Sequence, residues 1–330
     1  MQQDIDVQRK IIEILRILKR HKEPVGARIV SKELSEIGYP LNERTVRYHL
    51  KLMDESGLTE NHGYSGRTLT QKGTDELNNA LVSDRIGFVL SRIENLSYGV
   101  TYDPFKNEGD IAINTSLVEK RNIDKVLTII KEANDARMAL SPLLKVLDET
   151  EEISNFEVPE NYSAIFSPCS FTVDGVLIRS GIPVAPILGG MVEIEKHQPV
   201  RFIEAIKYEG CSLDPLELFI GRKRTNIRGA ITKGSGVVLA NFREIPLIAK
   251  DNTQKIFEKL ETRGFSGILK VGEPNNPVLS VSVSRDKVGV VIIGGINQMA
   301  AVEEAGIPTN TAAIESLIDI REMKNVNELI

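Results

Sequence analysis

Apolar residues recur every three or four positions along the first eighty residues, which predicts several short amphipathic helices in succession. The first precedes Pro24, the second runs over about 26–37, and the third lies within 41–58. A short connection at 38–41 separates the second helix from the third. This order of helix, turn and helix is typical of domains that bind nucleic acids.

The third helix is predicted to be capped, with one apolar and one charged face. Asn42 is a good N-cap and Gly57 a typical helix terminator. Val46, Leu50 and Met53 share a face at helical spacing, so that face is expected to be buried. The opposite face carries cations and hydroxyl groups, which suit contacts with phosphates and base edges. The predicted DNA-binding residues are Arg44, Thr45, Arg47, Tyr48 and Lys51, with Arg67 from the hairpin that follows.

A hairpin is predicted directly after the third helix. Two short strands at 58–60 and 67–70 flank a glycine-containing tip, and an amphipathic helix through Leu77 and Leu81 closes the unit. A hairpin in this position is a wing. Three helices and a wing over 1–83 favour the interpretation that the charged face binds DNA. The alternative is that this face is only solvated surface. A further alternative is a scaffold protein whose winged helix binds RNA or a partner protein.

Beyond residue 83 the pattern alternates between strands and helices. A helix containing Ile86, Val89, Leu90 and Ile93 is interpreted as a joint between domains or a dimer seam. Strands are predicted at 100–102, 110–117, 162–166, 171–178, 237–241, 267–271, 278–283 and 286–292, and amphipathic helices at 122–136 and 252–263.

The order strand, helix, strand, strand occurs twice, which indicates an internal duplication with halves at about 98–215 and 236–330. Segment 286–292 echoes 174–178, and each leads into a glycine turn. The alternative is coincidence, because apolar strands follow helices in any α/β chain. If the halves face each other, a pocket between them is a natural binding site. The predicted fold class is α+β: a winged helix-turn-helix domain followed by a mixed α/β effector-binding and dimerisation domain at 84–330.

Composition narrows the class of protein. With 41% hydrophobic and 26% charged residues the chain resembles an ordinary globular protein. It has no apolar run of membrane-spanning length and no signal peptide, so we expect a cytoplasmic protein without a membrane partner. Cys169 and Cys211 form no disulfide framework. We interpret them as small buried residues beside a pocket rather than as a redox pair or a nucleophile.

The net charge of −5 is unevenly distributed. Residues 1–80 carry thirteen lysines and arginines against twelve carboxylates, and the remaining 250 residues carry twenty-eight against thirty-four. Because phosphate contacts supply most non-specific affinity, a nearly neutral DNA-binding domain binds weakly as a monomer. We therefore expect a homodimer or a higher even oligomer, which places two recognition helices on two half-sites.

Motifs of catalysis are missing from the sequence. It contains no phosphate loop, no dinucleotide fingerprint and no nucleophile elbow. Only His197 lies outside the first eighty residues, which is too few histidines for a metal cluster and leaves a catalytic triad dependent on that one residue. We predict no catalytic residue, no metal and no cofactor. A metabolic enzyme that regulates its own operon stays open as an alternative, and turnover of a keto acid would reveal it.

Short polar turns set against apolar strands favour small-molecule binding by the second domain. The turns at 167–170 and 210–215 offer N–H and hydroxyl groups to a carboxylate, and a glycine pair permits close approach of the backbone. A basic cluster at 222–228 forms either an anion clamp or an exposed loop. The predicted effector-binding residues are Cys169, Ser170, Gly189, Gly190, Cys211, Ser212 and Arg228.

The chain resembles the NrpR family in five strings: NERTVRYHLKLMDESGL, SPCSFTVDGVLIRSGIPV, GCSLDPLELFI, LANFREIP and VGVVIIGGINQMAAVEEAGIP. The resemblance runs over essentially the whole chain. It implies an archaeal, dimeric repressor of nitrogen-assimilation genes that binds palindromic double-stranded operators through the winged helix. It also implies that 2-oxoglutarate, a small dicarboxylate effector, weakens DNA binding. Some family members carry two effector domains whereas this chain has room for one, so a related effector-domain subunit is a further expected partner.

Overall fold

The structure, a computed structural model, describes residues 2–21, 23–79, 88–149, 152–153 and 156–330. It divides into two compact units, Met1–Ile86 and Gly87–Ile330, called here the N-terminal unit and the C-terminal unit. Each has its own cluster of buried apolar side chains. The predicted domain boundary at 83/84 and the predicted contributions of Leu81 and Ile86 lie outside the described residues. No helix in the described ranges is long and apolar enough to cross a membrane.

The N-terminal unit is a helix-turn-helix with a wing, as predicted. Its elements are α1 (Gln2–Arg20), α2 (Ala27–Glu36), α3 (Glu43–Glu55), β1 (Thr59–Asn61), β2 (Arg67–Leu69) and α4 (Gln71–Asn79). Strands β1 and β2 pair in an antiparallel hairpin. Strand β2 also pairs at Arg67 with Val25, in the connection between α1 and α2, which holds the wing against the helices.

Helix α3 forms where its local signals predict it. The side chain of Asn42 accepts a hydrogen bond from the backbone N–H of Thr45 at 2.9 Å, which caps the first turn. Gly57 follows the last turn with φ +72°, a conformation that glycine adopts without steric cost. Val46, Leu50 and Met53 are buried in the core of the unit. Burial of three large apolar side chains, at about 1.5–3 kcal/mol each, holds α3 against the other helices.

The C-terminal unit alternates helices and strands. In chain order the elements are α5 (Phe88–Gly99), β3 (Asp110–Glu119), α6 (Ile123–Asp135), β4 (Leu143–Leu147), β5 (Glu152–Ile153), β6 (Phe156–Glu157), β7 (Tyr162–Pro168), α7 (Phe171–Arg179), β8 (Ala185–Glu195), β9 (Gln198–Lys207), α8 (Pro215–Gly221), α9 (Ile227–Lys233), β10 (Gly236–Pro246), α10 (Lys250–Glu261), β11 (Ile268–Val271), β12 (Lys287–Ile293), α11 (Asn297–Glu304), β13 (Asn310–Asp319) and β14 (Lys324–Asn325).

Two five-stranded antiparallel sheets organise this unit. The first has the strand order β13-β3-β7-β4-β14 and the second β11-β12-β10-β8-β9. All their strand pairs are antiparallel. The central strands β10 and β12 are buried along most of their length, which explains why β12 appears in the sequence as a nearly continuous apolar run.

The order of helices and strands in this unit occurs twice. The last strand of each repeat pairs with a strand of the other repeat. The series α5, β3, α6, β4, β7, α7, β8 corresponds to α9, β10, α10, β11, β12, α11, β13. Strand β8 of the first repeat pairs with β10 of the second, and β13 of the second pairs with β3 of the first. Both sheets therefore contain strands from both repeats. The repeats begin at Phe88 and Ile227, one helix earlier than the halves predicted at 98–215 and 236–330.

The sequence prediction was wrong for segment 171–178, which forms helix α7 rather than a strand. Every residue from Phe171 to Leu177 is buried, so the helix has no polar face and its apolar positions show no helical periodicity. Helix α7 packs closely on α5, since a Cβ on Gly175 would lie 2.6 Å from the backbone carbonyl oxygen of Ser97. The counterpart of β12 is therefore β7, not 174–178. Segments 100–102 and 278–283 also lie outside the strands.

Candidate functional site

The outer face of α3 presents the predicted cationic side chains to solvent. Arg44, Arg47, Tyr48 and Lys51 are exposed, Tyr48 to 61% of its free surface. Arg47 pairs with Glu43 and Lys51 lies 3.8 Å from Glu55, each partner one helical turn away. Exposed ion pairs of this kind stabilise a protein by less than about 1 kcal/mol, so a phosphate can displace the carboxylate readily.

Two other predicted DNA-binding residues are placed differently. The hydroxyl of Thr45 donates to the side chain of Asn42 at 3.0 Å and supports the N-cap. The Arg67 side chain is only 16% exposed, and its Nε donates to both carboxylate oxygens of Asp54, at 2.9 and 3.1 Å. Thr59 of β1 donates to the same carboxylate. Asp54, on α3, therefore holds both strands of the wing, and Arg67 positions the wing instead of joining the exposed cationic face.

The tip of the wing presents an aromatic residue that the sequence prediction omitted. Tyr64 is fully exposed in a single 3-10 turn. Gly66, at φ +112°, follows the turn so close to the chain that a Cβ would lie 2.3 Å from the Val25 carbonyl carbon. The backbone N–H of Gly63 donates to the Asn61 side chain at 2.9 Å, which closes the turn. The sequence feature that could have identified Tyr64 is its position in the glycine-flanked tip of a hairpin, because a side chain at such a tip points into solvent.

Three of the predicted effector-binding residues meet in the core of the C-terminal unit. Cys169 and Ser170 are buried where α7 begins. Asn241 of β10 donates to the Ser170 hydroxyl at 2.6 Å and accepts from the Tyr208 hydroxyl. Gly189 of β8 faces this network, because a Cβ there would lie 2.9 Å from the Tyr208 oxygen. Burial raises the pKa of the Cys169 thiol to about 12, so this cysteine is a poor nucleophile.

A buried ion pair adjoins this network. Arg243 of β10 donates to Asp174 of α7 and to the backbone carbonyl of Ser170 at 3.3 Å, and it lies over the Phe171 ring. Burial raises the pKa of Asp174 to about 6 in spite of the opposing charge of Arg243. Within the described residues, Nε and Nη2 of Arg243 lack a hydrogen-bond partner. The sequence prediction missed this pair, although a single arginine inside an apolar strand was the available signal.

The remaining predicted effector-binding residues do not join the core network. Gly190 lies within the second sheet, paired with Ala205 and Ala240. Cys211 and Ser212 are half-buried in the turn before α8, where the Cys211 thiol donates to the Lys207 carbonyl at 2.9 Å. Arg228 lies elsewhere, at the start of α9, where it lines an open cleft. The predicted effector-binding residues therefore do not form one site: three meet in the core, Arg228 lines the cleft, and Gly190, Cys211 and Ser212 lie in neither.

The cleft, called here the α6–α11 cleft, has a volume of about 660 Å³. It lies between α6 and the segment that follows α11. Its lining residues are Glu119, Arg121, Asn122, Lys125, Thr128, Ile129, Glu132, Arg228, Ala305, Gly306, Ile307 and Pro308. Nowhere in the described ranges do three or more His, Cys, Asp or Glu side chains form a group that could hold a metal ion.

Families of known proteins match both units. A model of the NrpR regulatory domains 1 and 2 matches residues 86–325, and a model of the ribonuclease R winged-helix domain matches residues 12–77. The chain is also similar to a solved structure, that of a nitrogen repressor-like protein from Methanococcus jannaschii. The TM-score is 0.62 at 30% sequence identity, covering 72% of this chain and 98% of that chain.

Curated relatives are regulators of nitrogen metabolism. The global nitrogen regulator NrpRI of Methanosarcina mazei is 39% identical over 98% of this chain and 99% of its own length. The global nitrogen regulators NrpR of Methanocaldococcus jannaschii and Methanococcus maripaludis are 35% and 34% identical, over 56% and 54% of their own lengths. Because these relatives are regulatory proteins, the prediction that the chain is not an enzyme is confirmed. A winged-helix domain followed by a matching regulatory domain places the chain in the NrpR family of nitrogen-regulating transcriptional regulators.

Proposed function

We propose that the protein is a DNA-binding repressor of nitrogen-assimilation genes that 2-oxoglutarate releases from its operator. The observation that carries DNA binding is the exposed face of α3, where three cations and Tyr48 share one surface of a capped helix within a winged-helix unit. Such a helix fits the major groove, where arginine recognises guanine through two hydrogen bonds. The names of the relatives support regulation of nitrogen metabolism.

Operator binding is proposed to need two copies of the chain. The first eighty residues carry almost balanced charge, so one copy makes few phosphate contacts. A homodimer, or a higher even oligomer, presents two recognition helices to the two half-sites of a palindrome. A related effector-domain subunit is a further proposed partner, since this chain spans only 56% and 54% of the longer NrpR relatives.

DNA recognition by α3 is tested with Arg47→Ala in the full-length protein. Duplexes are first selected from a random pool by the wild-type protein, and affinities are then measured by fluorescence anisotropy. We expect affinity to fall about 5- to 150-fold, as expected for the loss of a base or phosphate contact worth 1–3 kcal/mol. Lys131→Ala is the control, because Lys131 pairs with Asp135 one turn away on α6 in the C-terminal unit. Equal affinities for wild type and Arg47→Ala would contradict the assignment of α3.

Release by 2-oxoglutarate is tested by titration of the protein–DNA complex. A ligand that binds two arrangements of the oligomer with different affinity shifts their populations, and a coupling of about 1–3 kcal/mol suffices for regulation. We expect 2-oxoglutarate to lower operator affinity and glutamate to lower it less. An operator affinity that stays constant up to millimolar 2-oxoglutarate would exclude this ligand as the effector.

A further inference from the structure

We infer that the operator contacts a second surface of the N-terminal unit, formed by Arg28 near the start of α2 and Tyr64 at the tip of the wing. This pair is called here the wing–α2 surface. It is separate from the exposed face of α3, and the DNA-binding residues predicted from the sequence include neither side chain. The inference rests on the proposed function, because it names further contacts with the same operator.

Backbone pairing places the tip of the wing beside the start of α2. Val25 exchanges two backbone hydrogen bonds with strand β2, at 2.9 and 3.0 Å. Gly66 then approaches the chain so closely that a Cβ on it would lie 2.6 Å from the backbone nitrogen of Gly26. Tyr64 is two residues before Gly66, and Arg28 is two residues after Gly26. The two side chains therefore start from neighbouring stretches of backbone.

Arg28 is an exposed cation that no carboxylate neutralises. It is the second residue of α2, whose first turn contains no acidic residue. The two carboxylates further along this helix are engaged, Glu33 by His21 at 2.7 Å and Glu36 by Lys32 at 3.7 Å. Within the described part of the chain, Arg28 forms no ion pair. A phosphate can therefore bind Arg28 without displacing an internal partner.

The place of α2 in the unit brings its first turn towards the DNA backbone. In a helix-turn-helix, the second helix enters the major groove while the first crosses the sugar–phosphate backbone. Here α3 is the second helix and α2 the first. Arg28 is the cation at the N-terminal end of α2, and a guanidinium donates two parallel hydrogen bonds to a phosphate. Arg28 is thus assigned to a phosphate contact.

The tip of the wing presents Tyr64 on a fixed backbone. The backbone N–H of His62 donates to the Gly66 carbonyl at 2.8 Å, and Nε2 of His62 lies 2.8 Å from the Thr68 hydroxyl oxygen. These contacts hold both sides of the 3-10 turn that contains the fully exposed Tyr64. A tyrosine on a rigid backbone offers a large contact area at low conformational-entropy cost. Such a ring is suited to packing against the sugars of a duplex.

The charge of the wing determines the kind of contact that it makes. Across 59–69, a range that the structure describes in full, the acidic and basic residues are Glu60 and Arg67, and Arg67 is bound by Asp54. Contact through Tyr64 is therefore non-ionic and releases no counterions, so it adds affinity without salt dependence. Arg28, by contrast, adds affinity that salt weakens. The two residues have different experimental signatures.

The wing has the reach that this contact needs. Its strands of three residues extend it by about 10 Å. In a duplex, about 17 Å, half of a helical turn, separates the centre of the major groove from that of the next minor groove, and the sugar–phosphate wall lies between them. With α3 in the major groove, the tip and the Tyr64 ring reach this wall.

Operator affinity measured at several salt concentrations between about 50 and 200 mM tests the wing–α2 surface. The probe is a duplex selected by the full-length wild type, and fluorescence anisotropy gives the affinity. We expect Arg28→Gln to lower the slope of log affinity against log salt by about 0.9 for each bound copy. We expect Tyr64→Ala to lower affinity about fivefold or more at every salt concentration, with the wild-type slope. Tyr64→Phe keeps the ring and is expected to keep most of the affinity.

Controls separate DNA contact from folding. Both side chains are exposed, so the variants are expected to melt at the wild-type temperature. Lys131→Gln removes a cation from the C-terminal unit and is expected to keep the wild-type slope. Wild-type affinity of an Arg28→Gln, Tyr64→Ala double variant at every salt concentration overturns the inference. That result is also the one expected if the tip binds a partner protein instead of DNA.

The same titrations distinguish failure of this surface from failure of the proposed function. If the wild type retains no duplex from the random pool, the proposed function is wrong and the inference fails with it. If the wild type binds a duplex and Arg47→Ala weakens that binding, but the double variant binds like the wild type, the inference is wrong and the proposed function stands.

Discussion

Two carboxyl groups of the C-terminal unit, on Asp174 and Asp214, titrate close to neutral pH. Burial raises the pKa of each to about 6 from an ordinary 3.8, and at Asp214 the neighbouring Glu217 adds to the increase. A folded-state pKa above the ordinary value means that the folded protein binds the proton more tightly than the unfolded chain. Each group therefore contributes stability that is fully present below pH 3.8 and is lost as pH rises through 6.

Asp214→Asn isolates this effect at one residue. The amide keeps the acceptor that caps α8 through the backbone N–H groups of Leu216 and Glu217 but cannot ionise. We expect the wild-type melting temperature to rise between pH 7 and pH 5 and that of the variant to rise less. At pH 7 the variant is expected to be at least as stable, by on the order of 1 kcal/mol, because a buried charge is removed.

Thermal unfolding followed by circular dichroism at pH 5, 6 and 7 measures the difference. Asp319→Asn is the matched control: hydrogen bonds from Arg321 lower the pKa of Asp319 to about 2, so its contribution is lost only as pH falls through that value. The control variant is expected to show the wild-type pH dependence. Identical pH dependence for wild type and Asp214→Asn would show that Asp214 is ionised normally in the folded protein.

Local signals allowed some residues of the site to be predicted and not others. The exposed face of α3 followed from an N-cap, a terminating glycine and helical spacing, all within one segment. The placement of Arg67 depends on the docking of the wing against Asp54, and the Arg243–Asp174 pair joins two distant elements. Such contacts depend on tertiary packing, which periodicity and composition do not encode.

Among the elements, the wing depends on α3 for its orientation. Asp54 accepts hydrogen bonds from Thr59 of β1 and from Arg67 of β2. These are charge-assisted bonds between half-buried groups, which contribute on the order of 1–3 kcal/mol each. The recognition helix and the wing are therefore expected to meet DNA as one rigid surface.

Asp54→Ala tests this coupling between the two elements. We expect faster amide hydrogen exchange in β1 and β2, because both strands lose their anchor, and an operator affinity reduced severalfold. Mass spectrometry of deuterium uptake and fluorescence anisotropy provide the two measurements. Asp75→Ala serves as the control, because the one hydrogen bond that Asp75 accepts among the described residues comes from Gln71 of its own helix, α4. Wild-type exchange rates in β1 and β2 of Asp54→Ala would refute the coupling.

Prediction of elements from the sequence succeeded where one face of the element is exposed. Helices α6 and α10 have a polar face, and their periodicity located them within two residues at each end. Seven consecutive residues of α7, from Phe171 to Leu177, are buried, so the sequence of this helix gave no periodicity to distinguish helix from strand. The duplication was predicted, but with α7 aligned to a strand for this reason.

For the whole molecule, the two units have separate apolar cores. The cluster of the N-terminal unit contains residues from Ile11 to Leu77, and that of the C-terminal unit contains residues from Val89 onwards. Among the residues that the structure describes, neither cluster includes a residue of the other. We therefore expect each unit to contain the apolar interactions that its own folding needs.

A fragment of residues 1–86 tests this expectation. It is expected to give a helical circular dichroism spectrum and a cooperative thermal transition. Its operator affinity is expected to be at least tenfold below that of the full-length protein, because it lacks the proposed oligomerisation domain and is nearly neutral. If the isolated fragment bound the operator as tightly as the full-length protein, the C-terminal unit would add nothing to operator binding. If its spectrum showed no helical signal, the N-terminal unit would need the C-terminal unit in order to fold.

The exchange of β8 and β13 between the two repeats affects the order in which the nascent chain can assemble. Strand β3 emerges from the ribosome early, but its neighbour β13 spans Asn310–Asp319, near the end of the chain. Until translation reaches that point, one edge of β3 stays without its native neighbour and is open to association with other chains. A chain that terminates prematurely between these strands would therefore leave the sheet that contains β3 incomplete. For the same reason, we expect this domain to be duplicated or deleted in evolution only as a whole.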